Sequence, residues 1–200
     1  VLPPKSLAQT RARIVQAALE LHQEVGPART TVAEIARRAG VQRLTVYNHF
    51  PHEAELFGAC QARWMSLHPL PDLTTGLAIR DPIQRVAEVL CTLYAWYRET
   101  RPMAEMVQRD RGAVAALDQL MQDSSDAGLA EVADALAAGF GRRGRGAERR
   151  RAMIGLAVDF WTWHRLDREG LDDRSAAEVM SDAIAGAASP RVRSRPGKIS

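Results

Sequence analysis

Apolar residues recur along this chain three and four positions apart, the period of helices that bury one face. Ile14, Ala17, Ala18 and Leu21 make the first stripe. Ser6 and Gln9 stand three apart ahead of it, the spacing of a capping box, and Gly26 followed by Pro27 predicts its end in a left-handed cap. Thr31 and Glu34 repeat the capping pattern before Ile35 and Ala36, and Gly40 ends this second helix. The next ten residues, VQRLTVYNHF (Val41 to Phe50), predict a short third helix. Pro51 closes it and starts a fourth through Leu56, Phe57, Cys60 and Trp64.

Residues 66–80 carry two prolines and a glycine and read as a connector. Asp81, Pro82 and Gln84 then open a fifth helix with an N-cap, a proline at the first helical position and a reciprocal cap. It is expected to reach about Glu99, with Pro102 limiting it and starting a sixth through Met106 and Leu117. A break is expected around Asp123 to Asp126, then a seventh helix to about Phe140. GRRGRG, Gly141 to Gly146, reads as a basic flexible loop. An eighth helix is expected over Ala147 to Arg168, capped by Gly170, and an alanine-rich ninth from Asp172 to near Ala188. Residues 189–200 read as a disordered basic tail. No stretch alternates with the period of a strand and no segment repeats, so the expectation is an all-α chain of about nine helices.

Composition adds limits to this picture. Two hundred residues with 46% apolar content suit a soluble globular chain. No apolar run reaches the roughly 18 residues of a membrane span, and the first residues lack a secretory apolar region, so a cytoplasmic protein without a membrane partner is expected. Cys60 and Cys91, with no spacing pattern, read as reduced thiols in or near the core. The net charge of +3 is unevenly spread: residues 1–64 carry +3, residues 65–189 carry −4 and the last eleven carry +4. A positive N-terminal third is compatible with a nucleic-acid partner without proving one.

The third helix sharpens that hint. A capped helix, a turn containing Gly40 and a second short helix form a helix-turn-helix, whose second helix enters a major groove. Val46 and Phe50, four apart, point inward. That leaves Gln42, Arg43, Thr45 and Asn48 outward. Arginine can fork onto guanine, glutamine and asparagine can pair with adenine, and a threonine methyl can touch thymine. Tyr47 and His49 can donate to phosphate oxygens. Thr31, at the start of the second helix, adds free backbone N–H groups and a favourable dipole for a phosphate.

In combination, IVQAALELHQEVG, TTVAEIARRAGV, TVYNHF and the acidic start of the fourth helix up to Leu56 and Phe57 resemble the DNA-binding domain of the TetR family of transcriptional repressors. The resemblance covers residues 10–57, about a quarter of the chain. It implies DNA contacts for Thr31, Gln42, Arg43, Leu44, Thr45, Tyr47, Asn48 and His49, and no cofactor beyond a small-molecule effector. Three positions depart from the family. His52 and Glu53 stand where a small polar residue and a phosphate-binding lysine are usual, and Gln42 replaces a serine that would cap the third helix. The expected domains are residues 1–52 for DNA binding, 53–68 as a connecting helix, 69–188 for ligand binding and dimerisation, and the tail.

In the larger part, Val86, Val89, Leu90, Leu93 and Tyr97 share one helical face, and aromatic and methionine stripes of this kind are more often core than ligand site. Trp96, Tyr97, Met106, Trp161 and His164 are the candidates for a pocket holding a small apolar or aromatic effector. Small side chains in the ninth helix allow close helix packing. Ala176, Met180, Ala183, Ile184 and Ala187, with Phe160 from the eighth, are the candidates for a two-fold dimer interface. The alternative is that this face covers the core of its own chain.

Catalysis finds no support. His49 and His52 lack a third metal ligand, no phosphate loop or nucleophile elbow is present, and Asp118, Asp159 and Asp167 read as charges on helix surfaces. The rival from another class is a helical adaptor that binds a protein and has lost or weakened DNA binding, for which Glu53 leaves room. RNA binding by GRRGRG or the tail ranks below it.

Overall fold

In the computed structural model, which describes residues 4–141 and 146–187, the helical period is realised throughout and no strand occurs among the described residues. The inner residues of the basic loop and the tail expected over 189–200 lie outside the described residues. The first elements are α1 (Pro4–Glu24), a 3-10 turn (Pro27–Arg29), α2 (Val32–Ala39), α3 (Arg43–His49), α4 (Glu53–Leu67) and the single turn α5 (Thr74–Leu77). Then come α6 (Pro82–Asp110), a 3-10 turn (Arg111–Ala113), α7 (Ala115–Met121), a π-helical stretch (Gln122–Asp126) and α8 (Ala127–Ala138). The last are α9 (Ala147–Ala157), α10 (Phe160–Arg168) and α11 (Asp173–Gly186).

Four boundaries depart from the sequence pattern. α1 already contains Ser6, whose carbonyl accepts the Thr10 hydroxyl at 2.9 Å, so Ser6 is not its cap. Pro102 lies inside α6 instead of dividing it. A proline costs one helical hydrogen bond and crowds the preceding turn. Burial on both sides of it, from Val86 to Tyr97 and again at Met103, outweighs that cost. The expected break at Asp123–Asp126 is the π-helical stretch, which absorbs an extra residue while α7 passes into α8 without a loop. The expected eighth helix is two helices. Asp159 is the N-cap of the second, its Oδ1 accepting from the N–H groups of Trp161 and Thr162 at 2.8 and 3.2 Å, and is therefore not a mere surface charge. Asp81 caps α6 as its spacing predicts, and Asp172 caps α11 through the Ser175 N–H.

The chain separates into two compact units that are not consecutive in sequence: Val1–Pro71 with Trp96–Gly128, and Asp72–Ala95 with the chain from Leu129 on. In the first, α1 supplies Ile14, Val15, Ala18 and Leu21 to a core closed by Ile35, Val46, Phe50, Leu56, Cys60 and Met103. α1 and α4 run antiparallel, since Cys60 Sγ reaches the Val15 carbonyl and the rings of His22 and Phe57 lie 5.5 Å apart. In the second unit, Trp163, Tyr94, Leu136, Ile154 and Ile184 are fully buried. There the Tyr94 hydroxyl donates to the Ala157 carbonyl at 2.7 Å and burial holds its pKa above the ordinary value. Both cysteines are free thiols; Cys60 is buried, and that burial pushes it up to about 12.

Candidate nucleic-acid interface

The candidate reading head is built by two devices. Thr31 starts α2 in a complete capping box: Glu34 N–H donates to the Thr31 hydroxyl, and the Thr31 N–H and hydroxyl both donate to Glu34 Oε2. Gly40 ends α2 at φ 66° and ψ 39°, the left-handed conformation that glycine adopts without strain. Its N–H and that of Val41 close onto the carbonyls of Arg37 and Ala36 in a Schellman motif. Val41 packs on the core, and three residues after α2 the chain has turned into α3.

α3 is seven residues long and divides its faces sharply. Val46 and Phe50 are buried at 1% and 4% exposure, against α1 and α2. Gln42, Arg43, Leu44, Tyr47 and Asn48 are exposed, while Thr45 and His49 are half-buried. Gln42 takes the N-cap position without a side-chain hydrogen bond, as expected from the loss of serine there. Arg43 has no ion-pair partner among the described residues.

Thr31 stands differently. The N–H and hydroxyl that were expected to face a phosphate are engaged by Glu34. Glu53 and Glu55 lie exposed in the first turn of α4, and His52 caps it without a side-chain bond. Arg38 bridges α2 to α1, its Nη1 and Nη2 reaching Glu24 at 2.5 and 2.7 Å and holding that carboxyl below its usual range.

Behind the head, the end of α6 fastens the turn after α1. Asp110 Oδ2 accepts the Ala28 N–H at 3.0 Å, and Arg109 Nη2 donates to the Val25 carbonyl at 3.2 Å while holding Asp110. Gly26 between them has φ 92° and ψ 156°, an extended mirror conformation instead of the expected left-handed cap. Only glycine adopts it readily, and a Cβ would strike Arg109 and Asp110. Helix periodicity carried no signal for this contact, which joins positions more than eighty residues apart.

The pocket candidates fall into different units: Trp96, Tyr97 and Met106 in the first, Trp161 and His164 in the second. Tyr97 is buried, Trp96 and Met106 are half-buried, and the Trp96 Nε1–H is buried without an acceptor among the described residues. Trp161 is 42% exposed and meets the His164 ring edge-on at 5.3 Å. Of the dimer candidates, Phe160, Ala176, Met180 and Ile184 are spent inside their own unit; Ala183 is exposed and Ala187 half-buried. Leu156, Trp161 and Val179 are the large apolar residues that α9, α10 and α11 leave exposed, which periodicity alone did not separate from core. Among the described residues no cluster of His, Cys, Asp or Glu could hold a metal, and no helix is long and apolar enough to cross a membrane.

Residues 14–60 match the sequence model of "Bacterial regulatory proteins, tetR family". The chain is 47% identical over 64 residues to the HTH-type transcriptional regulator TtgR of Pseudomonas putida, covering 32% of this chain and 29% of that protein. It is 33% identical over 84 residues to the probable acrEF/envCD operon repressor of Escherichia coli, covering 41% and 38%. The chain thus matches less than two fifths of the length of either relative. Over nearly its whole length it shares the fold of NalD, the secondary repressor of the MexAB-OprM multidrug efflux pump in Pseudomonas aeruginosa. The TM-score is 0.59 at 24% identity, over 92% of this chain and 97% of that one.

Proposed function

Because residues 14–60 match the model of the tetR family of bacterial regulatory proteins, we propose that the chain is a member of that family and a DNA-binding transcriptional regulator, acting as a repressor on a near-palindromic operator that it binds as a homodimer. The observation that carries this reading is the division of α3. Val46 within it and Phe50 just after it hold a seven-residue helix whose other side chains are exposed or half-buried and rich in hydrogen-bonding groups. Core formation does not require such a helix; reading base edges does. Arg43, Gln42 and Asn48 face bases, Thr45 and Leu44 lie against thymine methyls, and Tyr47 and His49 donate to phosphates. Thr31 fixes the start of α2 and reaches a phosphate only if its hydrogen bonds to Glu34 are exchanged.

Repression as the sign of regulation is drawn from the names of the relatives. An operator partner puts the site of action in the cytoplasm, and the protein needs neither catalysis nor a metal. A small apolar or aromatic effector biases the protein between a form that fits the operator and one that does not, which requires different affinity for the two. The Trp96 indole N–H, without an acceptor among the described residues, supports a ligand with an acceptor near that residue, with Tyr97 and Met106 of the same unit as the further candidates there. The exposed Leu156, Val179 and Ala183 support a dimer through α9 and α11.

Selection of duplexes bound by the full chain from random DNA tests the reading. The expected result is a palindrome with half-sites about one helical turn, or a multiple of it, apart. Failure to enrich any sequence sinks it and leaves the adaptor, for which the 65% exposed Leu44 and 53% exposed Tyr47 would be the contact surface.

A further inference from the structure

Between α1 and α4 runs an open groove of about 490 Å³, lined by Arg11, Arg13, Gln16 and Arg63 over Val15 and Ala59. The helix pairing dictates it. α1 and α4 are antiparallel, so one turn beyond the contact of Val15 with Cys60, Arg11 comes opposite Arg63. Ala59 and the backbone at Ala12 are too small to fill the space there.

Three guanidinium groups therefore converge on one concavity. Among the described residues none of the three has a carboxylate partner, whereas Arg38, Arg109, Arg111, Arg151 and Arg174 each have one. The nearest acid on this stretch of α1, Glu20, takes the Gln16 amide at 3.0 Å and lies 3.9 Å from Arg38. Like charges gathered without a counter-charge cost free energy, which an oxyanion in the groove reverses. Arg11 also ties the groove to the reading head: its Cζ sits 4.6 Å over the ring of Phe50, the residue that ends α3.

We propose that this groove receives the phosphodiester backbone of the operator where it continues past the half-site read by α3. The proposal rests on the reading of α3 given above. It assigns to Arg13 and Arg63 a sequence-independent share of binding that the acidic start of α4 does not supply.

The test uses the operator obtained by selection, once trimmed to its palindrome and once flanked by a full helical turn on each side, with affinity followed against salt. Each phosphate contact contributes nearly one to the slope of log affinity against log salt. Wild type is expected to show a steeper slope on the flanked duplex. Arg13→Ala with Arg63→Ala should lower that slope by about two per protomer, leave base preference unchanged and have no effect on the trimmed duplex. Arg63→Lys should restore its share. Both positions are exposed, and unchanged thermal melting would show that the fold is intact. Equal slopes for wild type and the double variant on the flanked duplex would overturn the proposal while leaving α3 as reader. So would binding of inorganic pyrophosphate that the double variant loses without any change in the DNA slopes, because the groove would then hold a free anion. If wild type selects no DNA at all, the reading of α3 fails first.

Discussion

At the residue scale the first consequence concerns Arg43. It is exposed at the first turn of α3 and carries no competing ion pair among the described residues. Arg43→Ala should cost roughly 1–3 kcal/mol of operator binding and relax preference at one position per half-site; selection repeated with the variant would show it, and an unchanged consensus would place the base contact elsewhere. His22 makes a second prediction. Burial against Phe57 lowers its pKa from 6.5 to about 4, with Asp110 pulling the other way. The unfolded chain takes up this proton near pH 6.5 and the folded one near 4, so the stabilisation is complete above pH 6.5 and is lost as pH falls towards 4. The loss amounts to roughly 2 kcal/mol at pH 5. Urea unfolding of wild type and His22→Gln at pH 7.5 and 5 should show a weaker pH dependence in the variant. Gly26→Ala meets both a forbidden backbone angle and the Arg109–Asp110 pair. It should destabilise by at least about 2 kcal/mol, within the range known for strained positions, and an unchanged midpoint would mean the turn can rearrange freely.

At the element scale, side-chain caps decide where helices begin more firmly than prolines decide where they stop. Pro102 does not interrupt α6, because buried residues on either side of it fix the axis. Asp159 does create a boundary: with its carboxylate on two N–H groups, the chain leaves α9 and restarts as α10. Asp159→Ala should cost about 1 kcal/mol by chemical denaturation, and Asp159→Asn should recover most of it. The π-helical stretch is anchored on both sides. Ser124 donates to the Leu120 carbonyl at 2.6 Å and accepts from the Gln61 amide of α4 at 2.7 Å. Arg111 holds Asp118 and Asp126 across it, and those hydrogen bonds keep its guanidinium more basic than usual. No sequence period announces such a stretch. Its five residues look like a loop because QDSSD is polar, yet tertiary hydrogen bonds keep them helical.

At the scale of the whole molecule, a homodimer needs an exposed face, and α11 supplies one opposite its core stripe. Ala176, Met180 and Ile184 are buried, whereas Val179 and Ala183, four apart, are exposed. Wild type is expected to sediment at twice the 22.0 kDa of the chain, and Val179→Asp to shift it towards the monomer. A variant that stays dimeric would move the interface off α11. The sequence by itself determined the all-α class, the two faces of α3 and the capping signals at Thr31 and Asp81. Each of these depends on neighbours within about four residues, where helix geometry fixes direction. Only the tertiary structure decided which stripe of α11 is core, that Trp161 is exposed, and that Asp110 fastens the turn at Gly26. It also brought Arg63 to Arg11. These are meetings of distant segments, and the local period says that a face is apolar or charged without saying what will lie against it.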